Sequence, residues 1–320
     1  MSNGLISKEG ETMIFVVTKC FNSLDSPVIL TSGKIGIYYV NTEKTLEDGG
    51  KFEQFGDQPH LMIQHALDQY ASSAVFKTTI DSLDELIQSK QPGIGFDAIA
   101  GGQRRDWPFS GVVAHLRGVP HISIFKPKKG MPDRLLYSQQ AADAGLEMPV
   151  DDLYLLNNKK VLLVTDLMTE GSSCYSVLDS QEVGWVPALR RKGAVVQDLV
   201  TVVSRLEGGE ELLAGIGVGT YAVVKIDENF LRAFSPEKHL ERNLDYMADP
   251  ELWGDEYIRM NGATPFIELF NPEGGKIDRA RKFKERYLSV LSENGGFRVG
   301  ELRTAVELKY DQNLDALVGK

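Results

Sequence analysis

Residues 161–173, VLLVTDLMTEGSS, combine residue types that could bind a sugar phosphate. The apolar first half is typical of a buried strand, which delivers an acid, Asp166, at its end. The Thr, Gly and Ser residues that follow predict a loop that opens a helix. Backbone N–H groups and hydroxyls in such a loop can bind a phosphate monoester. The Asp166 carboxylate could hold ribose hydroxyls or a hydrated magnesium ion. An ordinary strand, turn and helix is the alternative interpretation.

Cations in two other loops indicate that the protein could bind further phosphate oxygens. Both loops follow apolar runs, and their cations are Arg104, Arg105, Lys126, Lys128 and Lys129. The planar fork of arginine suits phosphate oxygens, and a loop bearing lysines could close over a site and exclude water. A solvated basic loop is the alternative for the lysines.

The elements that must position these residues alternate between strands and helices. Strands are predicted at residues 96–100, 120–125, 160–165, 194–203 and 221–226, and helices at residues 58–74, 82–89 and 210–214. The alternation predicts an α/β fold, a mainly parallel sheet with helices on both faces. Ligands bind such sheets at the carboxyl ends of the strands, where Asp166 is expected. Residues 27–40 predict a β-hairpin.

The last part of the chain predicts a helical extension. Three helix starts are predicted, at residues 235–237, 249–251 and 271–273. Each of them has a capping residue followed by a proline and an acid. Residues 277–293 predict an amphipathic helix that ends at Gly295. We therefore expect a first domain at residues 1–234 and a helical C-terminal extension at residues 235–320.

The composition of the chain limits the classes of partner that it is expected to bind. The 320 residues include 35 Lys and Arg and 45 Asp and Glu, a formal charge of −10. This acidity argues against nucleic acid and anionic membranes as general partners and leaves small molecules as the expected ligands. No run approaches the roughly 18 apolar residues of a membrane span. Two cysteines, Cys20 and Cys174, cannot form a disulfide framework, so a reducing, cytoplasmic location is expected.

Residues 161–173 resemble the phosphoribosyl-pyrophosphate binding motif of the type I phosphoribosyltransferases. Four further segments are similar, in the same order, to those of the orotate phosphoribosyltransferase branch. They are residues 30–40 (LTSGKIGIYYV), 99–110 (IAGGQRRDWPFS), 125–130 (FKPKKG) and 203–209 (VSRLEGG). The resemblance covers about residues 27–234.

This resemblance implies a Mg²⁺-dependent enzyme, and a homodimer. The reaction would transfer a 5-phosphoribosyl group from phosphoribosyl pyrophosphate to orotate or a related base, releasing pyrophosphate. Residues 1–234 would then form a phosphoribosyltransferase-like domain that includes an N-terminal hood over the base.

The resemblance also implies roles for individual residues. The catalytic residues would be Lys129, Asp166 and Lys126, with Asp166 also serving the metal. Phosphoribosyl pyrophosphate would contact Arg104, Arg105, Thr165, Asp166, Leu167, Met168, Thr169, Glu170, Gly171, Ser172 and Ser173. The base would contact Lys34, Tyr39, Val40, Thr169 and Arg205.

Several positions depart from the family pattern. Thr165 replaces the first of two adjacent acids, Thr31 replaces a lysine, and Ser204 replaces the acid before Arg205. The histidine that usually follows the loop lysine is absent near residues 130–131, and residues 184–187 mark an apparent insertion. Two alternatives therefore stay open: a non-catalytic sensor of phosphoribosyl pyrophosphate, and a phosphoribosyltransferase that acts on a purine.

Overall fold

The computed structural model describes residue 10 and residues 19–47, 52–90, 95–126, 133–140, 147–150 and 155–319. The chain divides into two compact units. The first, here the sheet unit, comprises Met1–Phe21 and Val40–Asp227, and the second, the helical unit, comprises Asn22–Tyr39 and Glu228–Lys320. No described helix has both the length and the apolar character that a membrane crossing requires.

The described strands are, in chain order, β1 (Phe21–Ile29), β2 (Ile35–Val40), β3 (Ala98–Gly102), β4 (His121–Ile124), β5 (Leu135–Ser138), β6 (Glu147–Pro149), β7 (Val161–Met168), β8 (Ser176–Leu178), β9 (Gln181–Val183), β10 (Asp198–Ser204) and β11 (Gly219–Lys225). The described helices are α1 (Phe52–Phe55), α2 (Pro59–Ser72), α3 (Ala74–Lys90), α4 (Asp106–Arg117), α5 (Trp185–Arg191), α6 (Gly209–Ala214), α7 (Glu228–Phe234), α8 (Glu237–Ala248), α9 (Pro250–Asn261), α10 (Ile277–Arg286), α11 (Leu288–Leu291), α12 (Glu293–Tyr310) and α13 (Leu314–Val318).

A seven-stranded sheet is the centre of the sheet unit, in the order β11-β10-β7-β3-β4-β5-β6. The strands from β11 to β4 are parallel, and β5 and β6 extend one edge as antiparallel strands. The chain crosses the sheet in one direction from β3 to β4 and in the other from β7 to β10 and β11. Because such crossovers are right-handed, the connecting helices lie on opposite faces. The predicted α/β class, a mainly parallel sheet with helices on both faces, is confirmed.

Several local predictions for the sheet unit differ from the structure. The helix predicted to begin at residue 82 begins at Ala74, directly after the extended residue Ser73 that ends α2. The edge strands β5 and β6 and the small hairpin of β8 and β9 were not predicted. These strands have only three or four residues each, too few to display a hydrophobic period.

In the helical unit, strands β1 and β2 form the predicted hairpin and are joined to C-terminal helices. The Tyr246 hydroxyl donates to the carbonyl of Ile35 at 2.9 Å, and the Ile35 N–H donates to the Tyr287 hydroxyl at 3.0 Å. Both tyrosines are fully buried. The hairpin therefore belongs to the helical unit, whereas the expected boundary between residues 234 and 235 placed it with the sheet.

Two of the three helix starts predicted for the extension begin α-helices, and the third begins only a 3-10 turn. Helix α8 begins at Glu237, and Asp249 caps α9 by accepting the Leu252 N–H at 2.9 Å. Asn271 caps only the 3-10 turn Pro272–Gly274. The single helix predicted over residues 277–293 is wrong. The backbone of Tyr287, whose hydroxyl binds the hairpin, is not helical, so α10 ends there. Helix α12 continues past Gly295 to Tyr310.

We predict that His121 makes the stability of the protein depend on pH. His121 is buried in β4, its Nε2 lies 2.8 Å from the Ser110 hydroxyl, and burial lowers its pKa to about 3. The unfolded chain binds a proton below a pKa of 6.5 while the folded protein does not. The free energy of unfolding should therefore decrease as the pH falls below about 6.5, by at most about 1.4 kcal/mol per pH unit.

Urea unfolding of the His121→Gln variant between about pH 7 and pH 5 checks this contribution. The variant should lose stability less steeply than the wild type. His115→Gln, at an exposed position of α4, should keep the wild-type slope. Equal slopes for all three proteins would show that His121 is not the titrating group.

Candidate functional site

Asp166 lies near the carboxyl end of β7, and its carboxylate is buried. Strand β7 pairs in parallel with β3 on one side and β10 on the other. Asp166 Oδ2 accepts a hydrogen bond of 2.5 Å from the hydroxyl of Thr42, in the 3-10 helix Thr42–Thr45. The acid therefore lies at the edge where parallel sheets bind ligands.

A second buried carboxylate, Asp106 at the start of α4, was not among the predicted site residues. Its Oδ1 accepts the N–H of Asp166 at 2.9 Å, and its Oδ2 accepts the N–H of Gly102 at 2.9 Å. Burial, and then the neighbouring charge of Asp166, raises the pKa of Asp106 well above its usual range. An acid in the first turn of a helix that follows a strand is the sequence signal that could have identified it.

Residues 169–173 form the loop after β7, and α6 holds this loop. The N–H of Gly209 donates to the Thr169 carbonyl at 3.1 Å. A Cβ on Gly209 would lie 2.5 Å from that carbonyl oxygen, so the close approach requires glycine. Gly171 has a φ of 72° and accepts the N–H of Cys174 at 2.8 Å, which turns the chain.

The turn exposes Ser172 and Ser173, while Thr169 and Glu170 are half-buried. Within the described part of the chain, the N–H groups of Ser172 and Ser173 donate no hydrogen bond. Two hydroxyls and two neighbouring N–H groups match the acceptors of a phosphate monoester. The arrangement can therefore bind such a group beside Asp166.

A small hairpin separates this loop from helix α5, so the loop does not open a helix directly as predicted. Strands β8 and β9 form the hairpin, and both of its ends lie next to the turn. Trp185 then donates its N–H to the Ser173 carbonyl at 3.1 Å, and Val186 donates to the Cys174 carbonyl at 3.0 Å. The helix thus continues the turn across the hairpin. Gly184 is the N-cap of this helix, and residues 185–187 form its first turn.

Arg104 and Arg105 lie in the turn between β3 and α4, where the peptide between Gln103 and Arg104 is cis. Arg105 Nε lies 2.8 Å from Glu43 Oε1, and Arg104 Nε lies 3.8 Å from an oxygen of Asp57. Both arginine side chains are exposed. Ion pairs at exposed positions contribute little to stability, so an anionic ligand can compete for both guanidinium groups.

Lys126 is exposed at the end of the segment that follows β4. Its N–H donates to the side-chain oxygen of Gln103 at 2.8 Å, which joins this segment to the arginine turn. Lys128 and Lys129 lie outside the described residues. The catalytic role assigned to Lys129 stays a prediction.

Arg205 follows β10, and its N–H donates to the Met168 carbonyl at 2.9 Å. Its guanidinium Nη2 lies 2.7 Å from Glu207 Oε1, and each side chain is only 3% exposed. Thr165 is buried, and its hydroxyl makes no hydrogen bond with a described residue. Leu167 is half-buried, and Met168 belongs to the hydrophobic core of the sheet unit.

Three of the five residues expected to contact a base lie in or next to β2. In the helical unit, Lys34 is buried and its Nζ lies 3.6 Å from Glu251 Oε1, and Tyr39 is half-buried. Val40 is buried and belongs to the sheet unit. Their roles in binding a base stay predictions.

Comparison with known proteins identifies related enzymes. The adenine phosphoribosyltransferase of Haemophilus influenzae (strain PittEE) is 30% identical over 158 residues, which are 48% of this chain and 79% of that enzyme. The orotate phosphoribosyltransferase of Methanopyrus kandleri is 32% identical over 113 residues, which are 35% of this chain and 56% of that enzyme. No protein-family model matches the sequence.

Among solved structures, the orotate phosphoribosyltransferase of Aeropyrum pernix is similar with a TM-score of 0.44 and 17% identity. The alignment covers 69% of this chain and 96% of that enzyme.

We predict that Gly209→Ala destabilises the protein through the loop at residues 169–173. The added Cβ would collide with the Thr169 carbonyl, which cannot move without shifting the loop. The expected loss is about 1–3 kcal/mol in the free energy of urea unfolding. Gly95→Ala is the control, because a Cβ there meets no atom within 4 Å. Equal stability of the two variants would contradict the close contact.

Proposed function

The chain belongs to the type I phosphoribosyltransferases, and from this premise we propose that it transfers a 5-phosphoribosyl group from phosphoribosyl pyrophosphate to a base. Pyrophosphate would be the leaving group. The observation that carries the proposal is the end of β7, where buried Asp166 precedes a turn with the exposed hydroxyls of Ser172 and Ser173. This pairing suits a ligand that presents ribose hydroxyls and a 5′-phosphate together.

The transfer develops charge at two places. The anomeric carbon becomes oxocarbenium-like as the bond to pyrophosphate breaks, and the leaving oxygens become more negative. Asp166 would hold the ribose hydroxyls and orient the ring. Arg104 and Arg105 would receive the pyrophosphate, because guanidinium groups bind phosphate oxygens in a planar fork. Lys126 and Lys129 would add positive charge where negative charge develops on the leaving group.

Mg²⁺ fits this site as an ion held mainly by the ligand. Among the described residues, no three His, Cys, Asp or Glu side chains cluster as a closed metal site would require. Mg²⁺ commonly takes one or two carboxylates together with substrate phosphates and water. Asp166 would hold the ion, directly or through water. When bound, the ion would neutralise charge on the departing pyrophosphate.

Orotate is the proposed acceptor, supported by the resemblance of residues 203–209 and by Arg205, whose cation would face the orotate carboxylate. One observation favours a second candidate, a purine such as adenine. Glu207 already balances the charge of Arg205 in a pair of buried side chains. A base without a carboxylate needs no additional cation at that position. The homodimer and the cytoplasmic location remain predictions.

The reaction is tested by mixing the protein with phosphoribosyl pyrophosphate, Mg²⁺ and either orotate or adenine. We expect pyrophosphate release that depends on the base, and the nucleotide product identifies the acceptor. Tight binding of phosphoribosyl pyrophosphate without turnover would favour the non-catalytic sensor instead. Failure to turn over any pyrimidine or purine base would refute the enzymatic function.

We predict that Asp166→Asn lowers kcat/KM for phosphoribosyl pyrophosphate by about tenfold to hundredfold. The amide removes a charged acceptor of the ribose hydroxyls, a loss worth roughly 1.5–3 kcal/mol. Steady-state kinetics with varied phosphoribosyl pyrophosphate measure the effect. Asp179→Asn, on the exposed turn of the β8–β9 hairpin, makes the same chemical change away from the site and should keep wild-type kinetics. An Asp166 variant as active as this control would exclude the assigned role.

A further inference from the structure

Side chains of the sheet unit itself contact three of the side chains assigned to the ligand, Asp166, Arg104 and Arg105. The Thr42 hydroxyl donates to Asp166 Oδ2 at 2.5 Å. Glu43 Oε1 lies 2.8 Å from Arg105 Nε, and Asp57 Oδ1 lies 3.8 Å from Arg104 Nε. A hydroxyl therefore lies where a ribose hydroxyl would bind, and two carboxylates lie where a diphosphate would bind.

We propose that Thr42, Glu43 and Asp57 are internal competitors that make this site selective for a ligand carrying both a vicinal diol and a diphosphate. The inference rests on the proposed function and extends it to ligand discrimination. A complete ligand replaces all three contacts with its own hydroxyls and phosphates. A fragment replaces only some of them.

The Thr42 contact is the tightest of the three. Thr42 is fully buried and Asp166 is 6% exposed, so little water can replace the hydrogen bond when it breaks. The Thr42 carbonyl also accepts the Thr45 hydroxyl at 2.7 Å, which fixes the 3-10 turn. A ligand must therefore offer hydroxyl donors of its own to separate Thr42 from Asp166 without leaving the carboxylate unsatisfied.

The Glu43 contact sets a second requirement, at the side chain proposed to receive the pyrophosphate. Thr42 and Glu43 are adjacent residues of one 3-10 helix, and the Asn41 side chain caps it by accepting the Glu43 N–H at 3.2 Å. Pyrophosphate alone would release Glu43 from Arg105 and leave Thr42 on Asp166. Ribose 5-phosphate would release Thr42 from Asp166 and leave Glu43 on Arg105.

Isothermal titration calorimetry with Mg²⁺ tests the inference with three probes: phosphoribosyl pyrophosphate, inorganic pyrophosphate and ribose 5-phosphate. Glu43→Gln should bind pyrophosphate about two- to fivefold more tightly than the wild type, since it weakens an exposed ion pair. Thr42→Val should bind ribose 5-phosphate about tenfold more tightly, since it removes a hydrogen bond to a carboxylate. Both variants should therefore lose part of the preference for the complete ligand over one fragment.

Glu47→Gln is the matched control, because it removes the same charge from an exposed side chain just after the 3-10 helix. It should bind all three probes like the wild type. The Glu43→Gln measurement keeps the test valid if Thr42→Val unfolds, because it leaves the Thr42–Asp166 hydrogen bond in place.

The outcomes separate this inference from the proposed function. Wild-type affinities in both variants, or weaker binding of ribose 5-phosphate by Thr42→Val, would overturn the competitor role; the weaker binding would make Thr42 a positioning residue for Asp166. If the wild type and every variant bind none of the probes, the proposed function itself fails.

Discussion

The carboxylate of Asp106 joins the two halves of the candidate site. One oxygen accepts the N–H of Asp166 at the end of β7, and the other accepts the N–H of Gly102 at the end of β3. A single buried side chain thus joins the strand that carries Asp166, the acid proposed to hold the ribose, to the strand that leads to Arg104 and Arg105. A bridge of this kind keeps the two loops at a constant separation, so that less ordering is required when a ligand binds both.

The same bridge creates an electrostatic constraint. Asp106 and Asp166 are neighbouring acids out of water, and burial together with the charge of Asp166 raises the pKa of Asp106. The donors around this pair are hydroxyl and amide groups, while the nearby arginines pair with other acids. The chain therefore places its own carboxylates around the proposed anion-binding site. The side chains of Arg104 and Arg105, proposed to receive a diphosphate, are exposed, where a ligand could exchange with their present partners.

The helical unit is built on a different constraint, the anchoring of a hairpin by buried tyrosines. Tyr246 and Tyr287 bind the carbonyl and the N–H of the same residue, Ile35, and so hold β2, whose sheet has no third strand among the described residues. A buried backbone group needs such a partner. The geometry of Tyr287 also interrupts the helical run at residues 277–310. The two tyrosines accordingly join the hairpin to this unit, and the non-helical geometry of Tyr287 separates α10 from α11.

The sequence determined the elements whose signal is local. Apolar strands, glycines at a close turn and an acid at a strand end placed β7, its loop and Asp166, and the order of motifs indicated the family. Tertiary structure decided what depends on distant residues. Asp106 and Thr42 approach Asp166 from 60 and 124 positions away, and Tyr287 reaches Ile35 across 252. The short edge strands and the β8–β9 hairpin gave no periodic signal either. Hydrogen bonds between distant segments form only when the whole unit packs, because the entropy of closing such loops is offset by many contacts at once. The residues proposed to carry the chemistry could thus be predicted from the local sequence. The groups that orient those residues, or compete with a ligand for them, are decided by the tertiary structure.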